Sequence, residues 1–307
     1  LGPVIGEGPM ERKDRIDAFG AASLVGFSLL LGFGQVIIKV GNEGFGPVFF
    51  AGLRSVLSLA VLLLWMRARG IRLELGRGNW GPALVMGLFF TGEFVALFIA
   101  LDLTTVARSA LMFYTMPVWL ALMAHFLLPG EKLTAIKLAG LALAFAGVAL
   151  ALLVGETGEG ALIGDLCALA GAWCWAGLAL MARATRLREM RAESQLAWQL
   201  AVSAVLLCAM APLFGPLLRG PELIHWGVLG VQALVISGAG FLFWMWILKI
   251  YPASSVASFG FLTPVFASLL GWLMLNEALR PSVLMALVLV AAGLWLVNRP
   301  VGRVRTQ

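Results

Sequence analysis

Charged and strongly polar residues are confined to short intervals along this chain, and between them lie ten apolar stretches. These run Ala18–Val40, Phe45–Met66, Trp80–Leu101, Thr104–Leu128, Thr134–Val154, Gly160–Met181, Gln195–Phe214, His225–Leu248, Ala253–Leu275 and Pro281–Val297. A helix needs about 20 apolar residues to cross a bilayer, and each stretch meets or approaches that length. The alternating segments of about ten residues that mark a membrane β-barrel are absent. Interior glycines, and Pro117 and Pro264, are compatible with helical spans because neighbouring helices can satisfy the backbone groups they free. The pattern predicts an all-α polytopic membrane protein of ten transmembrane helices.

Composition agrees and narrows the classes. Of 307 residues, 61% are hydrophobic and 12% charged, against about 25% charged in a soluble protein. So few charges cannot cover a soluble surface of this size, which excludes a soluble enzyme, a disordered chain and a nucleic-acid binder. The net charge of +6 therefore bears on topology. With the N-terminus as reference, 17 basic residues fall on its side of the membrane and 3, Lys39, Arg219 and Arg280, on the other. Basic residues stay on the cytoplasmic side, so both termini are expected there, in agreement with an even number of spans. Cys167, Cys174 and Cys208 all sit in apolar stretches, so no disulfide framework is implied. The first stretch is too long for a signal-peptide core and lacks a convincing cleavage site. Leu1–Pro9 reads as a cloning remnant ahead of a natural start at Met10.

The chain also repeats itself. The fourth stretch contains Ser109-Ala110-Leu111 and Pro117-Val118 and ends in Glu131-Lys132-Leu133; the ninth contains Val256-Ala257-Ser258 and Pro264-Val265 and ends in Glu277-Ala278-Leu279. The prolines are 147 residues apart and the glutamates 146, as are Ala146-Gly147-Val148 and Ala292-Gly293-Leu294. The expected organisation is two five-helix halves, 18–155 and 156–298, between cytoplasmic tails 1–17 and 299–307. An odd number of spans per half inverts the second half, so Glu131 and Glu277 are expected at opposite faces. Inverted repeats place a substrate site near the midplane between the halves.

With Phe50-Ala51-Gly52-Leu53-Arg54 in the second stretch, and Gly164-Asp165 and Trp173-Cys174-Trp175-Ala176 in the sixth, these features resemble the drug/metabolite transporter superfamily in its EamA-type branch. The resemblance runs from about Ala18 to Val297. It implies a bacterial inner-membrane carrier, often an exporter of amino acids or related metabolites, aromatic amino acids among them. It also implies a cavity formed by the first, third, fourth, sixth, eighth and ninth spans, with Trp175 matching a sixth-span tryptophan.

A charge at the bilayer centre costs at least about 2.5–3.5 kcal/mol, so intramembrane charges call for a reason. Arg54 and Glu93 lie at similar depth, about 13 and 12 Å from the outer ends of sequential spans. One reading is a buried ion pair joining the two helices; the other is that Glu93 faces the cavity and meets a substrate ammonium or a proton. Arg108 is expected to snorkel to the outer interface, and Asp165 to cap or hydrate the start of its span. Glu131 and Glu277 are expected to cap or anchor turns, and His125 and His225 to be structural. Phe90 and Phe94 share a helix face and, with Tyr114, Trp175 and Phe259, make an aromatic candidate cavity. A mid-membrane phenol needs a hydrogen-bond partner or a wet cavity. Such a lining suits hydrophobic or aromatic amino acids better than phosphorylated sugars, which want several inward cationic groups. Pro117 and Pro264 are candidate hinges.

A phosphate-binding loop is excluded because no lysine follows a glycine, and neither histidine opens an HExxH motif. No catalytic constellation, cofactor or metal site is expected; the partners are a small-molecule substrate and the bilayer. The alternatives to an amino-acid exporter are a carrier for nucleosides, drugs or sugar derivatives, and a channel.

Overall fold

The computed structural model describes residues 16–74, 78, 80–128, 133–153, 159–251, 256 and 259–297. The described secondary structure is helical apart from an isolated bridge between Phe45 and Leu218. The helices are α1 Ala18–Gly44, α2 Pro47–Ala68, α3 Trp80–Leu103, α4 Val106–Phe113, α5 Met116–Leu127, α6 Ala135–Leu153, α7 Glu159–Ala184, α8 Ala192–Met210, α9 Leu223–Val231, α10 Gly240–Ile250, α11 Leu262–Leu275 and α12 Pro281–Val297. A π-helical segment, Gln232–Ala239, joins α9 to α10. Eight segments are long and apolar enough to cross a membrane, counting α4–α5 as one and α9–α10 as one; α11 and α12 are shorter apolar helices.

Local chemistry sets the helix ends. The Asp17 carboxylate accepts from Gly20 N at 2.8 Å and opens α1. Pro47 and Pro281 each occupy the first turn of a helix, where a missing N–H costs nothing. Asn276, at φ 54°, closes α11 in the left-handed conformation.

The helices define two poles. At one, α1, α3, α6 and α8 begin; at the other, α2, α4, α7, α9 and α12 begin. The first pole is tied by the Tyr251 hydroxyl donating to Asp17 (2.6 Å) and by Glu74 N donating to Ser194 Oγ (3.0 Å). The second is tied by Gly46 N donating to Leu217 O (2.9 Å) and Asn42 Nδ2 to Phe98 O (2.8 Å). Main packing pairs are α3 with α7, α6 with α12, α2 with α8 and α1 with α11.

The α6–α12 crossing is antiparallel: Gly140 meets Gly293 and Val297, while Gly147 meets Ala286 and Val290. A Cβ on Gly140 would stand 2.7 Å from Gly293 O, and one on Gly293 would stand 2.6 Å from Gly140 O. Small residues here let two backbones touch, the usual device where lipid gives helices no hydrophobic drive to associate.

Two stretches expected as continuous helices are interrupted. The fourth breaks at Tyr114–Thr115, between α4 and α5, and in the ninth turns at Phe259–Phe261 separate helical Val256 from α11. Both prolines lie in the first turn after a break, Pro117 second in α5 and Pro264 third in α11. The cost of about 3 kcal/mol that a proline carries in a helix interior is therefore not incurred, because first-turn N–H groups lack intrahelical partners anyway. Carbonyls at the breaks find side-chain donors: Met112 O accepts from Thr115 Oγ1 (2.6 Å) and Phe259 O from Ser28 Oγ of α1 (3.0 Å). Residues 129–132, and with them Glu131, lie outside the described residues.

Candidate functional site

A cavity of about 420 Å³ lies among α1, α2, α3, α7, α8, the π segment, α10 and the turn before α11. It sits toward the first pole, since its α1 residues, Leu24 to Leu31, come from that helix's first half, and its α8 residues, Leu196 to Leu200, from the first turns. Of the residues singled out in the sequence, Phe90, Glu93, Tyr114, Trp175 and Phe259 line it. Tyr114, at the helix break, meets Trp175 edge-on with ring centres 5.7 Å apart, and Phe113 stacks on the same indole at 5.1 Å. Phe27, Phe241 and Trp244 also line the cavity; sequence reasoning missed them because nothing separates their spacing from that of lipid-facing aromatics. A second, apolar chamber of about 410 Å³ adjoins the first, sharing Tyr114, Trp175, Trp244 and Gly260 and reaching Pro117 and Leu120.

The charged lining residues are Arg54 and Glu93, each 7% exposed. They face one cavity, but no salt bridge joins them among the described residues. Arg54 Nε and Nη1 are buried without a hydrogen-bond partner, and the guanidinium carbon stands 4.0 Å from the centre of the Phe94 ring. A cation over an aromatic face replaces the expected contact with a carboxylate. Phe94 consequently lies behind Arg54, and it does not line the cavity. Ser237 and Thr263 add hydroxyls to the lining; that of Ser237 lacks a partner, and that of Thr263 stands beside the Tyr114 phenol. No group of three His, Cys, Asp or Glu side chains able to hold a metal occurs among the described residues.

The second pole is closed by three ion pairs. Lys39 Nζ lies 3.0 Å from Glu277 Oε1 and donates to Thr104 O at 2.6 Å. Glu277 also accepts from Val106 N at 2.8 Å, capping α4. Arg219 grips Asp102 with both ends of its fork, at 2.7 and 3.0 Å, and donates to Asn42 O. Arg108 pairs with Asp165, and its Nη1 reaches Ala151 O at 2.8 Å. This corrects two expectations: Arg108 does not snorkel, and Asp165 is a fully buried counter-ion that also accepts from Thr104 Oγ1 at 3.0 Å. Depth along a helix suggested an interfacial arginine; a partner 57 residues away drew it inward. Anchoring of the α11–α12 turn by Glu277 is as expected; its partner Lys39 was counted only as a loop charge. His225 closes a capping box with Glu222, and His125 accepts from Leu133 N.

A helical, multi-pass membrane protein with a central cavity sealed at one pole has the form of a small-molecule transporter. Its sequence matches the EamA-like transporter family twice, over residues 18–153 and 162–299, and the chain belongs to that family. It is 25% identical to the uncharacterized transporter YoaV of Bacillus subtilis over 280 residues, 89% of this chain and 94% of that protein. It is 30% identical to the aromatic amino acid exporter YddG of Ancylobacter novellus over 233 residues, 74% of this chain and 78% of that protein. A solved crystal structure with 26% sequence identity superposes with a TM-score of 0.64, covering 90% of this chain and 97% of the other. Each of the three ion pairs joins the first matched segment to the second.

Proposed function

We propose that this protein is a secondary transporter that exports amino acids with hydrophobic or aromatic side chains across the bacterial inner membrane by alternating access. The observation that carries this reading is the cavity: aromatic walls from Phe90, Tyr114, Trp175 and Phe259 around one carboxylate, Glu93, suited to an ammonium. Phe94 belongs to the site through Arg54. The relative that exports aromatic amino acids supports the same substrate class. A single cationic lining residue speaks against phosphorylated sugars; nucleosides, drugs and sugar derivatives are the competitors in a flux assay. The halves are 18–155 and 156–298, five spans each, the second inverted, and the antiparallel α6–α12 crossing supports that symmetry. Both termini are cytoplasmic, because the first pole carries Arg67, Arg69, Arg72, Arg183, Arg186, Arg188 and Arg191. The conformation described is then inward-facing, its outer pole shut by the ion pairs.

In proteoliposomes, labelled phenylalanine and leucine should show saturable uptake and counterflow; non-saturating flux would indicate a channel. Tyr114→Ala and Trp175→Ala should each weaken phenylalanine transport on the order of tenfold, from lost aromatic contacts, while the protein remains folded. Native flux and substrate preference in both variants would remove these residues from the site.

The breaks at Tyr114–Thr115 and Phe259–Gly260 are hinges held open by the prolines, which cannot donate back to Phe113 O and Gly260 O. Leucine restores that donor and lets the helix run through. Pro117→Leu and Pro264→Leu should therefore each slow exchange severalfold with little change in phenylalanine affinity. Native exchange rates in both would make the prolines fixed shape.

A further inference from the structure

We infer that Arg54 is the anchor for a carboxylate of the transported molecule, so that the cavity reads the two charges of a zwitterion, Arg54 the carboxylate and Glu93 the ammonium. This rests on the amino-acid reading above and adds the group that reading left without a task. Arg54 is buried, lines the cavity, and leaves Nε and Nη1 with no acceptor. A guanidinium stays charged in proteins, and buried donors are almost always satisfied, so an arginine in this state calls for a partner that the chain does not supply. Glu93 lines the same cavity but makes no hydrogen bond or salt bridge to Arg54. Phe94 beneath the guanidinium fixes the plane of the fork, and a planar fork held in one orientation is what bidentate carboxylate recognition requires.

The separation of the two charges matters as much as their presence. Had Arg54 and Glu93 closed on each other, an incoming ligand would have had to break a buried pair. Held apart in an apolar wall, they form a fixed dipole that a zwitterion complements and that a singly charged molecule satisfies at one end only. A purely cationic substrate would meet Arg54 as a like charge; a purely anionic one would meet Glu93.

The test uses purified full-length protein and four probes: phenylalanine, its amide, which lacks the carboxylate, 3-phenylpropionate, which lacks the amine, and phenethyl alcohol, which lacks both. Binding is read by competition against labelled phenylalanine and by ligand-induced shifts in melting temperature. Wild type should prefer phenylalanine to its amide on the order of 10- to 100-fold, the range for hydrogen bonds to a charged group. Arg54→Gln should erase that preference while keeping the preference for phenylalanine over 3-phenylpropionate; Glu93→Gln should do the reverse. Arg54→Lys, which keeps the charge and loses the fork, should fall between and serves if the glutamine variant does not fold. Wild type that binds the amide as tightly as phenylalanine, or that binds no carboxylate-bearing probe, overturns the assignment, as does an Arg54→Gln protein that retains the wild-type preference. Binding of 3-phenylpropionate without phenylalanine would uphold Arg54 as the carboxylate anchor and overturn the amino-acid reading instead.

Discussion

Replacing Asp165 with alanine should destabilise the folded protein by about 3–5 kcal/mol, the range for removing one partner of a buried ion pair. Asp165 is completely buried, and its loss would leave Arg108 with Ala151 O as its remaining acceptor and Thr104 Oγ1 without one. The cost comes less from the lost attraction than from the uncompensated charge left in a low-dielectric interior. Asp165→Asn should cost less, since an amide oxygen can still accept from Arg108 and Thr104. The double variant Arg108→Met with Asp165→Ala should lie nearer wild type than Asp165→Ala alone, because the stranded charge goes with it. Melting of the purified protein in detergent, followed by intrinsic fluorescence, measures all three. An Asp165→Ala protein that melts with the wild type would show that the pair contributes nothing to the fold.

Gly140→Leu should be comparably damaging for a different reason. Added methylenes in a packed core cost about 1–3 kcal/mol where side chains can yield. Here the first added atom already meets the carbonyl of Gly293 and the amide of Val297, 2.7 and 2.9 Å away, and backbone cannot rotate aside. The helices would have to separate, with loss of the buried contacts of Ala144, Val290 and Leu294. Gly140→Ala should show part of the effect. Gly26→Ala is the matched control in α1, where an added Cβ meets nothing within 4 Å. Equal melting temperatures for Gly140→Leu and Gly26→Ala would mean that the crossing is loose.

Hydropathy made the spans legible because a bilayer imposes length and apolarity on whatever crosses it. Matched prolines and glutamates made the repeat legible, whereas nothing in the pattern showed that Gly140 and Gly147 seat α6 against α12 within the chain. The helix breaks were half legible: Pro117 and Pro264 marked their neighbourhood, but each break falls before its proline, where a fixed φ suits a helix's first turn. Cavity aromatics could be found by depth, Phe90, Tyr114, Trp175 and Phe259 among them. Phe94 could not, since sharing a face with Phe90 leaves open which neighbour covers it, and Arg54 on α2 does. The ion pairs were least legible of all. Lys39 and Glu277 stand at opposite ends of the sequence, and no local pattern announces a partner 238 positions away. Arg108 and Asp165 were read separately as two ends of two helices, whereas burial made them one object.

The three pairs across the sealed pole differ in their access to water. Side chains of Arg219 and Asp102 are 31% and 19% exposed, those of Lys39 and Glu277 are 27% and 8%, and those of Arg108 and Asp165 are 4% and 0%. Mobile ions screen charges they can approach, with a Debye length of about 8 Å at physiological ionic strength, and screen buried pairs much less. Salt in the medium on that face thus weakens the Arg219–Asp102 clasp first, the Lys39–Glu277 pair from one side, and the Arg108–Asp165 pair hardly at all. The seal is a graded zipper with a salt-sensitive outer tooth and a salt-blind inner one.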